Sequence, residues 1–193
     1  MVIRGYASPE SVYVERGRIS LNAWRLKGAL VLLLFTLTAC ASRHIVDGFL
    51  VDEARGFRIP ILRDGWRQLE VEGTELAFQA EPGGQTAALF VSCEEEQPTT
   101  LRILARRLFF GISPKQVLAQ HTISLNGTEA IHTVLTGRLK ETDAMVSSYV
   151  AKNGKCAYDL VYVASPETFE DRLPEFERFA KGWVFTEKGK ELR

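Results

Sequence analysis

The chain is poor in residues and motifs that usually announce chemistry. Of its 193 residues only three are cysteine, at positions 40, 93 and 156. No two of them form C-x-x-C, which argues against a thioredoxin-like redox centre. There is no G-x-S-x-G, H-E-x-x-H, P-loop or G-x-G-x-x-G, so the common hydrolase, metalloprotease and nucleotide-binding signatures are missing. Catalytic groups can be dispersed along a chain, but nothing here assembles such a set, and the protein is expected not to be an enzyme. It carries no repeat and no low-complexity run. With 24 basic and 24 acidic residues it also lacks the basic excess that nucleic-acid binding needs. There is one long apolar run and no second.

That run, "ALVLLLFTLTAC" at 29–40, holds eleven uncharged residues and ends on Cys40. A membrane-spanning helix needs about 20 apolar residues, so the run is too short to cross. It has the build of a secretory leader. Arg25 and Lys27 form the basic n-region, residues 28–37 the apolar h-region, and Thr38 and Ala39 the small residues before the cleavage point. The end of the leader, Leu37-Thr38-Ala39-Cys40, resembles the lipobox of bacterial lipoproteins. That resemblance implies diacylglycerol on the Cys40 thiol, cleavage before it, and a further palmitate-type chain on the new amino group. One chain binds a membrane only marginally, whereas two or three hold essentially permanently, at about 0.8 kcal/mol per buried methylene. Ala41 and Ser42 follow the cysteine in place of an aspartate, which by resemblance favours the outer membrane over the inner. The expected location is the periplasmic side of the cell envelope. Cys40 lies late for a leader, so translation is expected to start at Leu21, with residues 1–20 an over-extended start.

The leader takes five basic and two acidic residues with it, leaving 19 basic and 22 acidic in the 154-residue chain from Cys40, a net charge of −3. This length suits one domain with a core of its own. Residues 40–48 are expected to be the lipidated cysteine and a tether, 49–186 a single globular domain, and 187–193 a charged tail.

Within the domain, 56–61, 66–71 and 75–81 read as strands separated by Asp64-Gly65 and Gly73. The segment "TAALFVSCEE" carries apolar residues on both faces, Leu89, Val91 and Cys93 on one and Ala88 and Phe90 on the other, the pattern of a strand covered on both sides. Thr99 or Thr100 can cap a helix over "LRILARRLFFG". A meander follows, with strands near 116–125, 128–139, 144–152 and 155–165. Asn126-Gly127 and Asn153-Gly154 are hairpin signals, and a looser turn is expected at 141–143. Two-residue loops at these pairs place His121 opposite His132 and Tyr149 opposite Tyr158. A last helix is expected from Ser165 as N-cap and Pro166 as first helical residue. Phe169, Leu173, Phe176, Ala180 and Trp183 share its apolar stripe, with a kink or restart at Pro174. Residues 183–185 are placed to close the sheet. The fold class is α+β: an antiparallel sheet meander flanked by helices.

The "GFRIPI" and "GW" opening, the "LNGTEAI" hairpin, the "YVAKNGKCAYDLVYVAS" hairpin and the terminal "LPEFERFAKGWVF" resemble the PsbP-like α/β/α sandwich. That family includes a subunit associated with photosynthetic oxygen evolution and small bacterial lipoproteins of the DcrB type. The resemblance implies a protein that binds other proteins and is not an enzyme. It brings no site residues with it.

Among residues that could carry chemistry, Cys93 and Cys156 are either a disulfide, if the compartment is oxidising, or two buried thiols. His121 and His132 are weak metal candidates, since zinc sites usually take three or four ligands. Glu94-Glu95-Glu96 can attract a cation or simply end a strand. Arg102, Arg106 and Arg107 can meet anionic headgroups or an acidic partner, or form a solvated helix face. Asn126-Gly127-Thr128 matches a glycosylation sequon, which the turn explains better. No cofactor is expected. The functional expectation is a non-enzymatic interaction module, held on the membrane by its lipid and facing an envelope protein. The alternative is a lipoprotein that binds a small ligand or a metal.

Overall fold

The computed structural model describes residues 43–93 and 99–185. Cys40, the leader, Glu94-Glu95-Glu96 and the charged tail lie outside the described residues. Among the described residues eleven strands and two helices follow in chain order. They are β1 (Arg43–Val46), β2 (Phe49–Asp52), β3 (Phe57–Pro60), β4 (Trp66–Leu69), β5 (Leu76–Ala80), β6 (Thr86–Cys93), α1 (Leu101–Arg107), β7 (Ile112–Leu125), β8 (Thr128–Leu139), β9 (Thr142–Asn153), β10 (Cys156–Ala164), α2 (Phe169–Lys181) and β11 (Val184–Phe185).

The strands form two antiparallel sheets rather than the one expected. The larger has the order β4-β5-β6-β10-β9-β8-β7, the smaller β1-β2-β3-β11. Within the span 40–48 expected to be a tether, Arg43–Val46 is instead a strand paired with β2. The strand expected at 56–61 leaves the main sheet and lies between β2 and β11, so residues 184–185 close the small sheet.

Strand β6 pairs with β10, the last strand of the meander, and not with β7, which follows it in sequence. The chain must therefore cross from the middle of the sheet to its far edge. Helix α1 makes that crossing and packs over β8 and β9. The Thr100 hydroxyl caps it by accepting from Ile103 N. The helix stops at Arg107, before Gly111, but Leu108 and Phe109 still pack with Ile112, Leu135 and Val146. Cover on this face is incomplete: Phe90 of β6 is 37 % exposed, so the strand is not covered on both sides.

The opposite face holds the main core. Tyr149, Tyr158 and Tyr162 stand on it, all buried. Phe176 of α2 stacks on Tyr162 at 5.2 Å and leans on Tyr149 at 5.8 Å. Phe57 of the small sheet and Trp183 meet Tyr158 edge-on at 5.4 and 5.7 Å. Each such pair adds about 0.5–1.5 kcal/mol beyond its buried area. Two of the hydroxyls are satisfied by backbone: Tyr158 donates to Arg55 O at 2.6 Å and Tyr162 to Phe169 O at 2.9 Å.

The turns decide the registers. Asn126 and Gly127 both have positive φ, 48° and 89°, the geometry of a two-residue hairpin loop. The Asn126 side chain donates to Lys181 O at 2.8 Å and Trp183 O at 2.6 Å, tying the turn to the end of α2. The second hairpin differs from the expectation. Asn153 pairs with Cys156, so Gly154 and Lys155 form the loop. Gly154, with φ 59°, takes the first central position, where this kind of turn favours glycine. The slip is two residues, so Tyr149 faces Leu160 and Tyr158 faces Ala151. Both tyrosines keep their face because side chains alternate with a period of two. The β8–β9 turn is also tight, at Lys140 and Glu141. Helix α2 begins at Phe169, with Thr168 rather than Ser165 at its cap position, and runs through Pro174 without a restart.

Cys93 and Cys156 stand opposite each other in the β6–β10 ladder and are joined, S–S 2.05 Å. Their separation is 63 residues, a loop whose closure stabilises the fold by about 4 kcal/mol in the chain-entropy model. Replacing both by alanine is expected to lower the unfolding free energy by about 2–4 kcal/mol in urea melts. A double variant as stable as the oxidised parent would contradict this.

Candidate functional site

The histidine pair falls where the Asn126-Gly127 turn puts it: His121 and His132 are directly opposite on β7 and β8. The neighbourhood does not complete a metal shell. Among the described residues no three His, Cys, Asp or Glu side chains are grouped to hold an ion. His132 is engaged otherwise. Its ring stacks on Tyr149 at 4.4 Å and its Nε2 lies 3.0 Å from Ser147 Oγ. Burial holds its pKa below 6.5, with Glu177 of α2 opposing and His121 adding to the drop. A depressed histidine stabilises the fold above its ordinary pKa and loses that contribution as the pH falls.

The opposite face of the large sheet carries a group that sequence reading passed over. Asp159 of β10 lies between Val150 and Phe90 in the ladder, on the α1 side. Its Oδ1 is buried with no hydrogen-bond partner, and burial pushes its pKa up from 3.8 to about 6. The signal was available, since one acid interrupts the otherwise uncharged strand "CAYDLVYVA".

The exposed apolar side chains are unevenly spread. Ile103, Phe110, Val117, Leu118 and Leu139, five of the nine large ones among the described residues, belong to α1, β7, the link between them, and the end of β8. Phe110 is 78 % exposed. Strand β7 is one of the two edges of the large sheet, paired among the described residues with β8 alone; β4 is the other edge. Its ladder is broken by register shifts between Ile112 and Lys115 and between Val117 and Ala119, so Leu118 has no partner residue. Gly137 accommodates the first irregularity: a Cβ there would lie 2.5 Å from Ile112 Cγ2 and 2.6 Å from Pro114 O.

Two clefts are relevant. One, of about 310 Å³, lies between 60–66 and α2, where Trp66 Nε1 donates to Glu175 Oε2 at 2.6 Å and Arg172 donates to Oε1 at 2.8 Å. The other, of about 170 Å³, lies between α1 and β7 and contains Arg102, Arg106 and Lys115. Of the three arginines singled out by sequence, the structure brings Arg102 and Arg106 into this pocket and leaves Arg107 outside its lining. The contribution of Lys115 is invisible without the β7 register. Among the described residues no helix is long and apolar enough to cross a membrane.

This geometry has counterparts among solved structures. The solution structure of cyanobacterial PsbP (CyanoP) from Synechocystis sp. PCC 6803 is similar with a TM-score of 0.54 at 11 % identity, covering 77 % of this chain and 95 % of that one. The crystal structure of LpqN, involved in cell envelope biogenesis of Mycobacterium tuberculosis, is similar with a TM-score of 0.55 at 14 % identity, covering 68 % and 83 %. At such identities the likeness shows the fold, that of PsbP-like proteins, and nothing of the function. No protein-family model matches the chain, and no curated protein matches it.

Asp159 supplies a pH test. Its raised pKa means the fold prefers the protonated form, so stability falls as the pH rises from about 4 to about 6 and then levels. Asp159→Asn is expected to stabilise the protein by about 2 kcal/mol at pH 7 and to leave it unchanged below pH 4. Denaturant melts across that range check it, and an equal effect at both ends would contradict a buried, unpaired carboxyl.

Proposed function

We propose that this protein is a lipid-anchored lipoprotein of the cell envelope, facing the periplasm, in which a non-enzymatic PsbP-like α/β/α sandwich serves as an interaction module. The observation that carries this reading is the open β7 edge with its exposed apolar side chains. An unpaired edge presents backbone N–H and C=O groups to any extended segment that can add a strand. Exposed apolar residues grouped beside such an edge mark an interaction surface more readily than the same residues scattered singly. The partner is therefore an envelope protein that offers an extended segment.

Three further points support the placement. The sequence Leu37-Thr38-Ala39-Cys40 closes a segment with a basic n-region, Arg25 and Lys27, and an apolar h-region. A disulfide between Cys93 and Cys156 suits an oxidising compartment. A structural neighbour, LpqN, is described as involved in cell envelope biogenesis. Outer-membrane placement is proposed from Ala41 and Ser42, which follow the cysteine in place of an aspartate. The short run 43–46 in β1 leaves only 41–42 between the lipidated cysteine and the small sheet, so the domain would stand directly on the bilayer surface.

A photo-crosslinking amino acid at Leu118, introduced in the native host, is expected to capture one envelope protein. The same probe at Val71, exposed on the opposite side of the strand order, is expected not to. Cys40→Ser is expected to remove the protein from the membrane fraction. Capture from both positions alike, or from neither, would overturn the edge as the interaction surface. Membrane retention of the Cys40→Ser chain would overturn the anchor.

A further inference from the structure

We infer that the pocket between α1 and β7 is a binding site for a phosphate-type anion, with Arg102, Arg106 and Lys115 as its ligands. The inference stands apart from the anchor and from the edge, since it rests on the pocket alone.

Charge is the first argument. Three cations line the pocket and no carboxylate does. None of the three takes part in an ion pair among the described residues. Arg102 and Arg106 are four residues apart on one helix, the spacing at which like charges repel directly. Helix α1 has no acidic residue in its first turn to offset them. An anion held between them would turn a repulsive pair into a clamp, and guanidinium forks match phosphate oxygens two at a time.

Preorganisation is the second. Lys115 does not swing freely: its Nζ donates to Phe109 O at 2.9 Å and lies 6.0 Å from the Phe110 ring centre. An ammonium has three donors, so two remain for a ligand. The chain link that holds Lys115 against Phe109 also fixes β7 relative to α1. The pocket therefore exists before a ligand arrives.

The floor is the third. Ala105, Thr133 and Leu135 are fully buried and Phe109 nearly so. Gln120 Nε2 donates to Thr133 Oγ1 at 3.1 Å, which leaves the Thr133 hydroxyl proton and the Gln120 carbonyl for other partners. Across the ladder from Thr133, the buried Ser148 Oγ has no hydrogen-bond partner. A low-dielectric floor beneath three cations strengthens their pull on an anion. A solvated helix face would offer the cations without the pocket. Arg107, outside the lining, is the internal comparison.

Calorimetric titration of the purified protein with inorganic phosphate and with monomeric dihexanoyl phosphatidic acid tests the inference. Saturable binding of at least one is expected. The double substitution Arg102→Gln/Arg106→Gln should weaken it at least tenfold and Lys115→Gln several-fold, while Arg107→Gln should change it less than twofold. All four positions are solvent-exposed, so the fold should survive, and circular dichroism verifies that. Equal affinity for the two probes would identify a free anion as the source. A tenfold preference for the lipid would identify a headgroup on an acyl chain. No saturable binding of either probe, or an Arg107→Gln loss as large as that of the double variant, would overturn the site.

Discussion

The structure depends on one non-local pairing, that of β6 with β10. These strands are far apart in sequence, and their ladder joins the β4–β6 segment to the β7–β10 meander. The register places Leu89 opposite Leu160 and Ala87 opposite Tyr162. A shift by one residue would turn Tyr158, Leu160 and Tyr162 to the other face and leave α2 and the small sheet with nothing to pack on. The Cys93–Cys156 bridge stands at one end of this ladder, where it holds the register covalently.

The surface features follow from that pairing. Once β10 has taken β6 as its neighbour, β7 can only be the outer strand, and α1 must cross the sheet to reach it. A seven-residue helix cannot cover a seven-stranded sheet. The uncovered remainder is where Phe90 is exposed, and the far margin is where α1 and β7 form the cationic pocket. Edge strands are usually protected against chance association by bulges, charge and proline. Here β7 has register shifts, Pro114 and Lys115, yet it keeps Val117 and Leu118 outward.

Much of the fold was legible because local chemistry and tertiary structure agree. Asn126-Gly127 specifies a hairpin with few alternatives, so the His121–His132 register could be counted from it. The Phe169–Trp183 stripe marked the core face of α2 correctly even though the helix starts three residues later than Pro166. The β9–β10 register was missed because Asn153 precedes a glycine that acts alone as the turn's first residue. The strand at 56–61 and the closing residues 183–185 were legible, but their place in a second sheet was not, because their partners β1 and β2 have only four residues each, too short for periodicity to separate them from loops. The site was harder still. Arg102 and Arg106 look like a solvated helix face until the crossover places Lys115 in front of them. Asp159 reads as an ordinary polar interruption until β6 and β9 close in on either side.

Amide hydrogen exchange on the oxidised, partner-free protein tests the central claim most directly. The β6–β10 pairing should contain the slowest-exchanging amides of the domain, at 86–93 and 156–164. Alternate amides of β7, facing away from β8, should exchange orders of magnitude faster. Uniform slow exchange along β7, or early exchange in β10, would mean that the sheet is anchored elsewhere and that its edge is not open.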